Sequence, residues 1–136
     1  MLQRIQTIWF LLATICIFLT MQFSTYAGAD AEGIMHLVKG TTNTFLVITT
    51  SVVGVVCMIA LFLFNNRKLQ IRITLLAVLI ELILLFFYYK EIHALVGIGA
   101  FAVTALLHAG VIIFLLLAAN GISKDEKLIK DSNRLR

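Results

Sequence analysis

The sequence predicts an all-α fold: a four-transmembrane-helix bundle with a short cytoplasmic amphipathic helix at its C-terminus. Three observations predict it. Four apolar runs, 5–24, 44–64, 71–89 and 94–119, fill most of the 136 residues. A helix rising 1.5 Å per residue crosses roughly 30 Å of hydrocarbon in about 20 residues, which these runs supply. The composition is 61% hydrophobic with a mean hydropathy of +1.03, more apolar surface than so small a soluble domain could hide. Finally, the basic residues segregate. Arg4, Arg67, Lys68, Arg72, Lys124, Lys127, Lys130, Arg134 and Arg136 fall on one side of the four runs, and only Lys39 and Lys90 on the other. The positive-inside rule makes the richer side cytoplasmic. Both termini then lie inside, as an even number of spans requires. Too little chain remains for a second domain, so residues 1–136 read as a single membrane domain.

The first run has Trp9 near its inner end and Tyr26 just past its outer end, where amphipathic rings favour the interface. It imitates a secretory signal, with small residues at 27–29, but it exceeds the roughly 7–15 apolar residues of a signal core. It is expected to be kept as a span. The following loop is polar, and 34–38 within it could form a short interfacial helix. Thr41, Thr42, Asn43 and Thr44 offer caps for the second run. Ser51 and Gly54, with Cys57 or Met58, form a stripe of small residues at helical spacing, suited to close packing. Residues 65–72 read as a tight basic hairpin.

The third run ends in the aromatic belt Phe86, Phe87, Tyr88 and Tyr89. The fourth carries Gly97, Gly99, Ala102, Ala105, Ala109 and Gly110, again suited to packing. Past Asn120-Gly121 the composition turns polar. Ser123 and Glu126 fit a capping box, which starts a tail helix over about 123–136. Proline is absent, so nothing suggests the broken helices of many transporters.

Two ionisable residues lie deep in the runs. Glu81 stands mid-way along the third, where a charge costs roughly 2.5–3.5 kcal/mol. It must be protonated, paired or turned to a watery cavity. His108 is the candidate partner, since both lie roughly 15 Å from the inner ends of their runs at 1.5 Å per residue. Facing one another requires the connection to centre near residues 94–95. The pair could be a register-fixing hydrogen bond or a proton- or ligand-binding site.

Other chemistry lacks support. Cys16 and Cys57 have no CxxC partner and read as packing residues. His36 and His93, with Asp30, Glu32 and Glu91, match no metal-ligand spacing. His93 and His108 stand at different depths, which disfavours a bis-histidine haem. No nucleophile elbow, phosphate loop or zinc-protease helix is present. No enzyme activity, metal or cofactor is expected. The basic residues lack the interleaved aromatics of a nucleic-acid surface, and anionic lipid suffices to explain them.

Three stretches, 1–7, 66–72 and 121–136, resemble a short four-helix inner-membrane family of Bacteroidota known only as a domain of unknown function. The tail is the most specific of them, although Asn133 departs from the acid expected there. The resemblance implies four spans in a bacterial inner membrane and no activity. It draws attention to a cytoplasmic face of Arg4, Arg67, Lys68, Gln70, Arg72, Lys124, Lys127, Arg134 and Arg136, suited to lipid or to a docked membrane subunit. The expected function is a non-enzymatic accessory subunit of a bacterial inner-membrane complex, its partners membrane lipids and other integral subunits. The alternative is a small proton- or solute-conducting protein using Glu81 and His108.

Overall fold

The computed structural model describes residues 3–63, 65–95 and 98–134, with side chains described for 5–63, 65–95 and 98–128. Four long helices dominate: α1 (Gln3–Gln22), α2 (Thr44–Phe62), α3 (Arg67–Ala94) and α4 (Leu106–Arg134). All four are long and apolar enough to cross a membrane. They pack as a closed ring in chain order, with α4 against α1.

The seam of the bundle follows a simple rule. On α3 the buried residues are Gln70, Thr74, Ala77, Glu81, Leu84 and Tyr88. On α4 they are His108, Val111, Leu115, Ala118, Ile122 and Asp125. Steps of three and four alternate, the 3.5-residue period of knobs-into-holes packing. The outward faces are wholly apolar in places, as with Leu75, Leu76, Leu79, Leu82 and Ile83 of α3. Polar residues inside and leucines outside suit a hydrocarbon surround.

Between the helices lies a small sheet that the sequence did not suggest. Strands β1 (Tyr26–Ala29), β2 (Met35–Val38) and β3 (Gly99–Phe101) pair antiparallel in the order β2-β1-β3. The stretch 34–38, expected as a short helix, is largely β2. So brief a segment cannot repay helix nucleation, and Gly33, at φ 79°, turns the chain back to form a hairpin. Of residues 94–105, assigned to the fourth run, Ala94 instead ends α3, Gly99–Phe101 form β3 and Val103–Ala105 make a single 3-10 turn before α4 begins. Glycine there is a poor helix former. Gly99 is also required by the sheet, because a Cβ would collide with the Tyr26 hydroxyl.

Two further boundaries move. α3 starts at Arg67 and runs to Ala94, making it about 12 Å longer than α1 or α2 at 1.5 Å per residue. Its overhang carries Tyr88 and Ile92 alongside the sheet. The tail is no separate helix, since α4 continues through it to Arg134. Ser123 therefore lies inside a helix and caps nothing. Gly121 lies within α4 and allows close packing there: a Cβ would lie 3.1 Å from Gln6 Cγ. The seam continues past it through Ile122 and Asp125. Gly54 of the small-residue stripe likewise receives the Phe18 ring.

Candidate functional site

The bundle has a basic end, where α1 starts, α2 meets α3 and α4 runs out, and a sheet end. Each holds buried polar side chains.

Toward the sheet end, Nδ1 of His108 lies 2.7 Å from Oε1 of Glu81. Glu81 is wholly buried and His108 is 4% exposed. The two meet although α4 begins later than hydropathy suggested, because residues 98–105, with Phe101 and Ala105 beside the α3 overhang, bring His108 into the first turn of α4. The Tyr88 ring stands edge-on to the imidazole, with centroids 4.7 Å apart. Thr50 of α2 is buried on the same side. The contacts Gln70–Ala60 and Asn43–Glu91 set the register of α2 against α3 and place Thr50 roughly level with Glu81.

Hydrogen-bond satisfaction here is incomplete. Glu81 Oε2, His108 Nε2 and Thr50 Oγ1 are buried without a partner. The Tyr88 hydroxyl makes no bond of good geometry, yet it lies near Thr20 and Thr25. Those threonines donate to the Ile17 and Val38 carbonyls, leaving their oxygens free to accept. Tyr88 therefore has acceptors at hand, whereas Nε2 and Oε2 have no partner among the described residues.

What the pair offers depends on where its protons sit. As an ion pair, the imidazolium carries protons on both nitrogens. As a neutral pair in which the carboxylic acid donates to Nδ1, the imidazole proton sits on Nε2. In these two forms Nε2–H is an unused donor and Oε2 an unused acceptor; with the acid proton on Oε2 and Nδ1–H donating to Oε1, the two roles are exchanged. A cavity of about 170 Å³ adjoins the pair, lined by Thr25, Leu85, Tyr88, Tyr89, Ile92, Phe101, Ala105 and His108. It lies on the sheet side. On the basic side, apolar residues such as Ala77, Val53, Leu115 and Ala118 close the seam.

At the basic end the polar groups satisfy one another. The Gln6 amide donates to Asp125 Oδ2 at 2.7 Å, and Arg67 reaches the same oxygen at 4.0 Å. The Gln70 amide donates to the Ala60 carbonyl at 2.8 Å and is 4% exposed. Gln70 therefore does not belong to the polar face proposed from sequence, because its side chain closes the turn between α2 and α3. Lys68, Arg72, Lys124 and Lys127 are exposed, and Arg67 is partly so. The side chains of Arg4 and Arg134, and Arg136 altogether, lie outside the described residues. Sequence reasoning missed Gln6, Thr50 and Tyr88 as companions of these sites. The 3.5-residue period counted from Glu81 would have found Gln70, Thr74 and Tyr88 on its face.

No group of three or more potential metal ligands occurs among the described residues. Near the sheet, His36 lies 3.8 Å from Asp30, while Glu91 accepts a bond from Asn43.

A family model described as a domain of unknown function, DUF4293, matches residues 2–135. No curated protein and no solved structure matches the chain.

Proposed function

The chain belongs to the DUF4293 family, which carries no assigned activity, and we propose that it is a non-enzymatic accessory subunit of a bacterial inner-membrane assembly. It would be a multi-pass protein with both termini cytoplasmic. Exposed Lys68, Arg72, Lys124 and Lys127 would contact anionic headgroups, each worth about 1 kcal/mol.

The observation that supports a protein partner is the corner where β3 leads into α4. Ile98, Phe101, Val103 and Leu106 are exposed there, Ile98 to 97%. β3 is an edge strand, and no side chain caps the 3-10 turn at Ala102. Hydrocarbon suits those side chains but not the unpaired backbone, and water suits the backbone but not the side chains. A neighbouring protein that supplies both backbone groups and apolar side chains suits both. Extraction in mild detergent, followed by native mass spectrometry, should return the chain with a stoichiometric integral partner. Phe101→Arg should release it. A chain that is monomeric with or without that change would refute the proposal.

The Glu81–His108 pair favours a second function, binding or conduction of a proton or small solute. Proton flux in liposomes that disappears in Glu81→Gln would support conduction. The apolar layers on the basic side favour a site open to one side only.

A further inference from the structure

We infer that two copies of this chain pair side by side in the membrane through α4, crossing at Gly110 about a two-fold axis along the membrane normal.

The first observation is a glycine without a use inside the chain. At Gly28, Gly40, Gly54, Gly99 and Gly121 a Cβ would come within 3.1 Å of a neighbour, and Gly33 has a positive φ of 79°. Each of these glycines has a reason in the fold. At Gly110 a Cβ would meet nothing nearer than Phe114 of its own helix, at 3.8 Å, an ordinary van der Waals contact. Helix interiors favour alanine over glycine, so the fold of one chain does not account for Gly110. On the surface of a membrane helix, glycine lets a second backbone approach closely.

The second observation is shape. Ala109 is exposed and Gly110 partly so. Leu106, one turn toward the sheet, and Ile113, one turn toward the basic end, are both exposed. The outward face of α4 is thus a notch between two knobs. The notch opens sideways into a groove of about 500 Å³ between α4 and α1, walled by Cys16, Leu19 and Phe23 on one side and by Leu107 and Phe114 on the other.

The third observation identifies the occupant. Knobs and notch lie on one face of one helix, so the surface is complementary to itself, as an isologous two-fold interface requires. Copies inserted under the same charge rule share one orientation. A two-fold axis along the membrane normal preserves that orientation and sets the two α4 helices parallel at equal depth. Gly110 then faces Gly110 of the second copy, and the knobs of each copy lie against the groove of the other. An acyl chain could line the groove, but it needs no glycine beneath it. Phe101 and Ile98 stand outside the groove, so the pairing is separate from the docking corner at β3 and is tested on the purified chain alone.

The test uses the full chain in lipid vesicles, with Cys16→Ala and Cys57→Ala removing the native thiols. Gly110→Cys should form a disulfide-linked dimer on oxidation, and the yield should hold as the vesicles are diluted with lipid. Leu79→Cys is the control. It is exposed on α3 and level with Gly110, each lying two residues from a member of the Glu81–His108 pair. Its cross-linking should be weak and should fall with dilution. Energy transfer between labelled copies of the chain with native thiols should show dimers and no larger species. Gly110→Ile should weaken them about tenfold, within the range for overpacking a close contact, with helix content unchanged. Equal cross-linking at the two positions would overturn the inference, as would a monomeric chain, an open series of oligomers, or dimers indifferent to Gly110→Ile.

Discussion

At the basic end, the Gln6 amide finds Asp125 and the Gln70 amide finds a backbone carbonyl. Toward the sheet end, Glu81 and His108 satisfy each other at one atom apiece and leave Oε2 and Nε2 without partners. Both regions bury polar side chains in the same helical seam. The difference is that the first set is closed and the second is open. A closed polar set fixes geometry: it holds α4 to α1 and closes the turn between α2 and α3. An open set retains hydrogen-bonding capacity that folding has not used, in a region that also holds a cavity of about 170 Å³. Buried polar groups without partners are uncommon because each costs free energy, so their concentration at one end is informative about where function resides.

The contrast can be broken most severely at the open end. Glu81→Ala strands His108 in an apolar seam, and loss of one member of a buried pair costs about 3–5 kcal/mol. Glu81→Gln keeps an acceptor for the imidazole and should cost far less. Reversible unfolding in detergent separates the two, and equal losses would show that the side-chain bond contributes nothing. At the closed end, Asp125→Ala should cost about 1.5–3 kcal/mol, the scale of a hydrogen bond to a charged group. Amide exchange should then rise in α4 beyond Gly121 while the Glu81 region stays protected. Uniform exchange along the chain would show the ends to be coupled.

Gly99→Val probes the sheet that roofs the open end. Its side chain would collide with Tyr26, and overpacking of this kind costs about 1–3 kcal/mol. The His108 resonances should move with it. Smallest is Thr50→Val, which removes a buried hydroxyl that has no partner. Stability should stay within about 1 kcal/mol of the parent, or rise slightly. A clear loss would reveal a bond from Thr50 that the open description of this end omits.

Several features were legible without coordinates. Runs of about 20 apolar residues announce helices long enough for a bilayer, because the rise per residue and the hydrocarbon thickness set that length. Glu81 and His108 stood out because ionisable groups are costly there. The sheet was hidden. Its strands are three or four residues long, and each depends on partners distant in the chain, as Tyr26 does on both Val38 and Phe101. Gly99 and Gly121 illustrate the same limit. Gly99, read as a packing residue of the fourth run, and Gly121, read as the point where the composition turns polar, prove to be places where Tyr26 and Gln6 approach closely.

The number of long apolar helices, the separation of positive charge and the presence of two costly groups in the apolar runs are therefore written in the order of residues. These follow from local composition and from the energetics of transfer between water and hydrocarbon. Tertiary structure alone decided which polar groups find partners. Gln70, expected at the surface, turns inward because the Ala60 carbonyl is there to receive it. Glu81 and His108 keep one unpaired atom each because no described group, Thr50 at the same level included, stands within hydrogen-bond reach of Oε2 or Nε2. Hydrogen bonds act over about 3 Å, and no run of residues states which carbonyl will stand that close.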